Sequence, residues 1–369
     1  MAARSSNRKA TVASADPSAR PAVRDFTGGA SGPLVEWDVR PVYDFMFSMT
    51  DEAATTEDVP LPDREWAATA RGNLSPDMRA SFDRVCSSKS PIHLASFVVE
   101  HRSIETADAL VEALESGGPA PLLRSIFSEA VGADPTIAPT LERAIAGDAA
   151  AVEDLRATLP EWHRDERLAM VASPAETHRE IVDLTRAWAD AFRPIEARIR
   201  VILQRDYDLR AHDRASLPAS DLIEHTTSGI RWLPEPGVRR IVLAPSYLGR
   251  PFNFLLAGAD WRFFGYPVAD EALDSPDPLA PPPQVLRLHR ALGDATRLRI
   301  LKLLTERDLY LTEIAQQLEL SKPTIKHHLI LLRSAGLLTV VESGAVIYYS
   351  LRRERLDEAS IDLKHFLVG

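Results

Sequence analysis

The sequence predicts an α+β protein with a mostly helical N-terminal region that contains a small β-sheet, followed by a smaller C-terminal unit of short helices and a hairpin. Apolar residues recur at helical spacing over residues 176–210, whereas β-branched and aromatic runs are concentrated in residues 238–267. The proline-rich stretch 274–283 can continue neither a helix nor a central strand. It therefore marks the boundary between the two regions.

These patterns give a domain division. A chain of 369 residues is too long for one ordinary core. Residues 1–33 lack the apolar stretch of a secretory signal and are expected to be a disordered tail. Residues 34–273 are expected to form an effector or dimerisation domain, and 284–369 the C-terminal domain. The linker 274–283, if extended, would hold them about 30 Å apart at most.

The strongest helix prediction covers residues 176–210, where Pro194 predicts a kink or a break. Shorter helices are predicted over 104–115 and 121–131. The apolar face of the long helix, spaced by threes and fours, consists of Ile181, Leu184, Trp188, Phe192, Ile195, Ile199 and Ile202.

Aromatic residues cluster in the predicted sheet over residues 238–267. Two interpretations stay open: a sheet packed on helices, or an aromatic-lined pocket for a small molecule. The candidate ligand-binding residues are Tyr247, Phe252, Phe254, Trp261, Phe263 and Tyr266.

The net charge of −10 is unevenly distributed. Residues from Gln284 onward carry 13 Lys and Arg against 10 Asp and Glu, a balance of +3, which leaves −13 for the rest of the chain. Because salt limits the reach of exposed charge to about 8–10 Å, the local balance decides whether phosphate can approach. The C-terminal domain is thus compatible with nucleic acid although the whole chain is acidic.

Local signals place the first three helices of the C-terminal domain. The first is predicted over residues 284–292. Asp294 is predicted to cap a second helix, and Thr312 a third helix over residues 313–318.

A fourth helix is predicted over residues 322–335, with Ser321 as its cap. Strands over 338–342 and 345–351 then form a hairpin. This order of helices followed by a hairpin predicts a winged helix-turn-helix, in which the fourth helix enters the major groove of double-stranded DNA and the hairpin is the wing.

The fourth helix has two different faces. Ile325, Leu329 and Leu332 are spaced to face the core, and no acidic residue occurs between Glu319 and Glu342. An acid-free helix with outward lysines suits an anionic groove. The residues expected to contact DNA are Ser321, Lys322, Thr324, Lys326, His327 and Arg333 on the helix, and Ser343 and Gly344 at the tip of the wing.

Three segments, 292–301 (LGDATRLRIL), 320–329 (LSKPTIKHHL) and 332–338 (LRSAGLL), resemble the ArsR family of bacterial repressors. The resemblance covers about the last 80 residues. It implies a homodimeric transcription regulator, a repressor, that reads an inverted-repeat operator, with Ser321, Lys322, Thr324, Lys326 and His327 at the positions that usually touch DNA.

The sequence departs from the metal-sensing members of that family. They carry a cysteine pair near the start of the third helix, where this chain reads Asp-Leu-Tyr-Leu-Thr-Glu over residues 308–313. Asp357, Asp362 and His365 do not reproduce the ligand spacing that other members have in the C-terminal helix. We therefore expect no metal and no cofactor, and a signal that enters through the N-terminal region as a small molecule or a protein partner.

Two alternatives concern the N-terminal region. It could be an enzyme fused to a regulatory winged helix, but the motifs of phosphate loops, metalloproteases and nucleophile elbows are absent. The nearest acid–base cluster consists of Glu161, His163, Asp165 and Glu166. Its sequence is typical of an exposed polar turn, so no catalytic residue is predicted. Alternatively, the region only dimerises or binds another protein.

No apolar stretch approaches the length that spans a bilayer, so no membrane partner is predicted. Cys86 is the only cysteine, and one chain therefore cannot form an internal disulfide or a thiolate metal site. Both observations favour a soluble, cytoplasmic protein.

Overall fold

The computed structural model describes residues 33–50, 53, 56–87, 90–159, 164–273, 279, 281–343 and 346–368. The predicted tail before Pro33, most of the proline-rich stretch and Gly344 lie outside the described residues.

Helices dominate the part of the chain before residue 227. They are α1 (Val42–Phe47), α2 (Leu61–Asn73), α3 (Pro76–Ser87), α4 (Ser90–Glu100), α5 (Ala107–Gly117), α6 (Pro119–Ile126), α7 (Ser128–Ala133), α8 (Ala138–Ile145), α9 (Ala149–Thr158), α10 (Arg164–Ala172), α11 (Pro174–Leu209), α12 (Ala211–Ser216) and α13 (Ala219–Thr226).

The long helix α11 confirms the helix predicted over residues 176–210. It runs without a break through Pro194. Proline inside a helix costs about 3 kcal/mol, whereas burial of each large apolar side chain contributes about 1.5–3 kcal/mol. Because α11 buries an apolar face that includes Trp188 and Phe192, packing outweighs the lost hydrogen bond. The Trp188 indole also donates to the Ser48 hydroxyl at 2.8 Å.

The strands are β1 (Leu34–Trp37), β2 (Ile230–Arg231), β3 (Arg240–Ser246), β4 (Phe254–Ala257), β5 (Trp261–Pro267), β6 (Leu309–Tyr310), β7 (Leu338–Ser343) and β8 (Val346–Leu351). One sheet has the order β1-β3-β5-β4, in which β1, β3 and β5 are parallel and β4 is antiparallel to β5. The strands β3, β4 and β5 lie within the predicted range 238–267, whereas β1 was not predicted as a strand.

The C-terminal helices are α14 (Pro283–Leu292), α15 (Ala295–Leu304), α16 (Leu311–Leu318), α17 (Lys322–Ser334) and α18 (Arg353–Val368). With the hairpin β7–β8 they form the predicted winged helix-turn-helix, and the α+β class is confirmed.

Of two predicted helix caps in this segment, one is confirmed and one is wrong. Asp294 caps α15, since its Oδ1 accepts the Arg297 N–H at 2.8 Å. Thr312 was predicted to cap the third helix, and this is wrong because α16 already begins at Leu311. The carboxylate of Glu313 instead accepts the N–H of Tyr310 at 3.1 Å.

A second sheet has the order β2-β7-β8-β6 and joins the two regions of the chain. The strand β2 comes from the N-terminal region and pairs in parallel with the wing strand β7, with Ile230 opposite Val340 and Arg231 opposite Val341. The winged helix therefore contacts the N-terminal region directly through main-chain hydrogen bonds.

Three hydrophobic cores lie within the described residues. The largest surrounds α1, α4, α5 and α11 and one side of the first sheet. A small core around Ile223 and Tyr266 lies on the other side, and a separate core around Leu288 and Leu332 fills the winged helix.

Candidate nucleic-acid interface

The start of α17 is fixed by its own residues. The Ser321 hydroxyl accepts the N–H of Thr324 at 3.3 Å and lies 2.8 Å from the Thr324 hydroxyl. Pro323 occupies the first turn, where no intrahelical donor is needed. The preceding turn contains Glu319 at φ 55°, in the left-handed region. Ser321 and Thr324 are both exposed, so the positive end of this helix faces solvent.

The two predicted faces of α17 are present. Ile325, Leu329 and Leu332 are buried in the core of the winged helix. Lys322 and Lys326 are exposed. The buried residues anchor the helix in the core, and the two lysines are exposed to solvent.

The other two candidates on this helix differ in exposure. His327 is exposed, whereas Arg333 is half-buried. Burial lowers the pKa of the Arg333 guanidinium, and the nearby Tyr349 hydroxyl acts in the opposite direction. Arg333 is thus less accessible than Lys322 or Lys326, because it lies beside strand β8 of the wing.

His328 was not singled out from the sequence. Its Nδ1 lies 3.8 Å from Oδ1 of Asp294, the cap of α15, and burial lowers the pKa of this imidazole. His328 follows the buried Ile325 by three residues, so helical periodicity could have predicted that its side chain is partly buried. The pair connects α17 to the start of α15.

The wing is an antiparallel hairpin whose last described pair is Ser343 opposite Val346. Gly344, and the side chain of Ser343, lie outside what the structure describes, so their contact with DNA stays a prediction. On the body of the wing, Ile347 and Tyr348 are exposed, and Tyr348 packs edge-to-face on Tyr310.

Five of the six aromatic ligand candidates are buried in cores. Phe254 stacks on Phe47 with ring centroids 3.9 Å apart, and Phe263 packs on Tyr43. The sixth, Phe252, is half-buried and lines a cavity between the N-terminal region and the winged helix. The other buried candidates are Tyr247, Trp261 and Tyr266.

The hydroxyls of the two buried tyrosines are satisfied by carboxylates. Tyr247 donates to Asp63 at 2.5 Å, and Tyr266 donates to Asp206 at 2.8 Å. Burial and the adjacent Asp63 raise the pKa of the Tyr247 hydroxyl. These contacts match the interpretation of a sheet packed on helices.

Among the described residues, no three His, Cys, Asp or Glu side chains are grouped so that they could hold a metal ion. In α18, Asp362 accepts a hydrogen bond from Arg355 at 2.9 Å. Of the acid–base cluster considered above, Glu161 and His163 lie outside the described residues, and Asp165 pairs with Arg156 at 2.9 Å.

Among the described helices, none is both long and apolar enough to cross a membrane.

The helix order, the capped α17 with its cationic face and the following hairpin define a winged helix-turn-helix regulator of transcription. Residues 294–340 match the family described as bacterial regulatory protein, arsR family. The chain belongs to this family, as the resemblance predicted.

Three relatives illustrate the match. The chain is 37% identical over 90 residues to the HTH-type transcriptional regulator KmtR of Mycobacterium tuberculosis, covering 24% of this chain and 68% of that protein. It is 39% identical over 70 residues to the transcriptional repressor SdpR of Bacillus subtilis, covering 19% and 78%. It is 32% identical over 80 residues to the transcriptional activator HlyU of Vibrio cholerae, covering 22% and 73%.

Proposed function

We propose that this protein is a homodimeric, cytoplasmic repressor that reads an inverted-repeat operator through α17 and the wing, and that it has no catalytic role. The observation that carries the proposal is the division of α17 into a buried apolar face and an exposed face with Lys322 and Lys326. Phosphate contacts from such a face would position the helix, and its side chains would meet base edges.

The last helix supports the dimer. Ile361, Leu367 and Val368 of α18 are more than half exposed, although they are large apolar side chains. The helices α14 and α18 pack together at one side of the winged helix. A second copy that covered this side would remove apolar surface from water and set the distance between two recognition helices.

The N-terminal region is the proposed entry point of the signal. It holds the winged helix at two places: β2 pairs with β7, and Arg287 of α14 donates to Asp58 at 2.5 Å. A change in the N-terminal region could therefore reach the wing and α14 without passing through the proline-rich linker. A signal acts only if it stabilises one arrangement more than the other.

Operator selection tests the proposal. Full-length protein would be incubated with random duplex DNA, and bound sequences would be recovered and compared. We expect an inverted repeat whose half-sites are about 10–10.5 base pairs, or a multiple, apart. Its binding should require two chains per duplex, measured by sedimentation of the complex. Selection of a single unrepeated site by one chain would contradict the dimer, and recovery of no preferred sequence would contradict the operator.

A further inference from the structure

The N-terminal region and the winged helix meet at two places of different character. At the first, β2 pairs with β7 through main-chain hydrogen bonds and so extends the sheet of the wing. At the second, Asp58 and Phe252 of the N-terminal region face α14, α15 and α17. We call this second contact the α14 interface. The hydrophobic core of the winged helix is separate from both cores of the N-terminal region, so no described core continues across the α14 interface.

The α14 interface is incompletely packed. A cavity of about 100 Å³ lies within it, with Asp58 and Phe252 on one side and Arg297, Leu331 and Ser334 on the other. Leu331 and Ser334 belong to α17, so the interface reaches the C-terminal half of the proposed DNA-reading helix. Atoms that border a void lack contacts on that side, so the two walls attract each other less than the walls of a filled core would.

An ion-pair cluster crosses this interface. Arg287 of α14 donates to Asp58 at 2.5 Å, and its Nη2 lies 3.6 Å from Oδ1 of Asp270. The side chains are mostly buried, with exposed fractions of 18% for Arg287, 15% for Asp58 and 12% for Asp270. Removing such charges from water costs free energy that their mutual attraction must offset. The net gain from closing the interface is therefore smaller than the short distances suggest.

Asp270 has a second cationic partner inside the N-terminal region. Arg250, which is 1% exposed, donates through Nη2 to the same Asp270 oxygen that Arg287 approaches. The Nε and Nη1 of Arg250 have no hydrogen-bond partner among the described residues. Burial, followed by repulsion from Arg287, lowers the pKa of Arg250 to about 10. The two guanidinium groups thus share one carboxylate, and withdrawal of Arg287 relieves a repulsion.

Separation at the α14 interface leaves no buried charge of this cluster unpaired. Arg250 and Asp270 both belong to the N-terminal region and stay together, whereas Arg287 and Asp58 return to water. The usual penalty for breaking a buried ion pair, an uncompensated buried charge, therefore does not arise. The pairing of β2 with β7 is formed by main-chain groups and contains no comparable repulsion.

We propose that the N-terminal region swings on the β2–β7 pairing as a hinge, and that Arg287, held by Asp58 and Asp270, is the latch that closes it against α14. Opening widens the cavity and removes the N-terminal region from Leu331 and Ser334 of α17. Interfaces between regions of one chain commonly allow such motion unless they are large and hydrophobic. The motion does not rest on the proposed function, but its effect on operator affinity does.

Thiol labelling measures the opening. Ser334→Cys, made in full-length protein that also carries Cys86→Ser, places a single thiol on the cavity wall. We expect Arg287→Ala to raise the labelling rate at least about fivefold, since labelling of a covered group follows the population of the open state. Arg290→Ala is the matched control, because Arg290 lies on the same helix and forms an exposed pair with Glu57. It should change the rate by less than about twofold. Equal rates in the two variants would overturn the latch.

Hydrogen exchange tests the hinge and needs no cysteine variant. Amides of residues 338–341 should exchange equally slowly in the native protein and in Arg287→Ala, because β2 stays paired with β7. Faster labelling together with unchanged exchange distinguishes opening from unfolding of the winged helix. Faster exchange of these amides in Arg287→Ala would overturn the hinge.

Operator affinity separates this inference from the proposed function. Arg287→Ala and Arg290→Ala each remove one positive charge from α14, so their direct electrostatic effects on DNA are matched. We expect Arg287→Ala to weaken operator binding by about fivefold or more relative to Arg290→Ala, because α17 loses its support along Leu331 and Ser334. Equal affinities despite faster labelling would overturn the link between the latch and DNA. Opening in a protein that binds no operator would contradict the proposed function and leave the latch intact.

Discussion

The main-chain N–H of Val340, in the wing, donates a 2.7 Å hydrogen bond to the carbonyl oxygen of Gly229, in the N-terminal region. Gly229 has φ +118°, and a Cβ at this position would lie 2.6 Å from the carbonyl oxygen of Leu338. Only glycine therefore allows β2 to approach β7 this closely. The contact attaches the N-terminal region directly to strand β7 of the wing.

Replacement of Gly229 tests the pairing of β2 with β7. We expect Gly229→Ala to separate β2 from β7, because the methyl group and the Leu338 carbonyl cannot share the space. Amide hydrogen exchange of residues 338–341 in the full-length protein should then become faster. Gly237→Ala is the matched control, since Gly237 also has a positive φ of +88° but a Cβ there meets nothing within 4 Å. Equal exchange in the two variants would show that the close approach does not matter.

Sequence patterns predicted the winged helix to within a residue or two at most helix ends, because each signal is local. Asp294 and Ser321 lie directly before the helices that they cap. The strands β1 and β2 escaped prediction because they are short and pair with distant residues, Leu34 with Arg240 and Ile230 with Val340. A two-residue strand carries no periodicity that could be recognised. The contacts between β2 and the wing, and the cavity wall, depend on such distant pairs.

On α17 Lys326 is exposed and Leu329 is buried, so the two side chains should respond differently to truncation. Lys326→Ala should weaken operator binding by about 1–3 kcal/mol if it reads a base, with the free energy of unfolding unchanged. Leu329→Ala should lower the free energy of unfolding by about 2–5 kcal/mol through loss of buried contacts and formation of a cavity. Denaturant unfolding and fluorescence anisotropy with a labelled operator measure both. Lys302→Ala, an exposed lysine of α15, is the control for loss of charge. If Lys326→Ala unfolds the domain and leaves binding intact, the assignment of faces is wrong.

The start of α16 should depend on Glu313 and only weakly on Thr312. Glu313 accepts the N–H of Tyr310 and also pairs with Arg307 at 2.9 Å. Glu313→Ala should therefore lower the free energy of unfolding, because the Tyr310 N–H loses its side-chain acceptor. Thr312→Ala should change it by less than about 0.5 kcal/mol. Chemical denaturation of both variants measures the two free energies of unfolding. A larger decrease for Thr312→Ala than for Glu313→Ala would show that Thr312 is the cap.

The buried Asp44 should make stability depend on pH. Its carboxylate accepts the N–H groups of Tyr247 and Leu248, at 2.9 and 2.6 Å, and the Ser246 hydroxyl. Burial outweighs these bonds and raises the pKa of Asp44 from 3.8 to about 6. Between pH 3.8 and pH 6 the Asp44 carboxyl is protonated in the folded state and ionised in the unfolded state, so the free energy of unfolding falls as the pH rises. The stability that protonated Asp44 contributes is therefore fully present below pH 3.8 and is lost as the pH rises through 6.

Comparison with Asp44→Asn isolates that contribution. The difference in unfolding free energy between the native protein and the variant should shift by about 2 kcal/mol against the native protein between pH 4 and pH 7, since each pKa unit corresponds to about 1.36 kcal/mol and part of the shift has already occurred at pH 4. Urea denaturation at several pH values measures it. Parallel pH profiles of the two proteins would mean that Asp44 titrates at its ordinary pKa.

Operator affinity of the full-length protein as a function of salt concentration tests the central claim, that α17 lies against the DNA backbone and bases, most directly. The logarithm of the affinity should fall linearly with the logarithm of the salt concentration, because each phosphate contact releases a counterion. If Lys322 contacts a phosphate, Lys322→Ala should reduce that slope by about 1, whereas Lys302→Ala should leave it unchanged. Affinity that is independent of salt, or a slope that Lys302→Ala reduces and Lys322→Ala does not, would contradict the account.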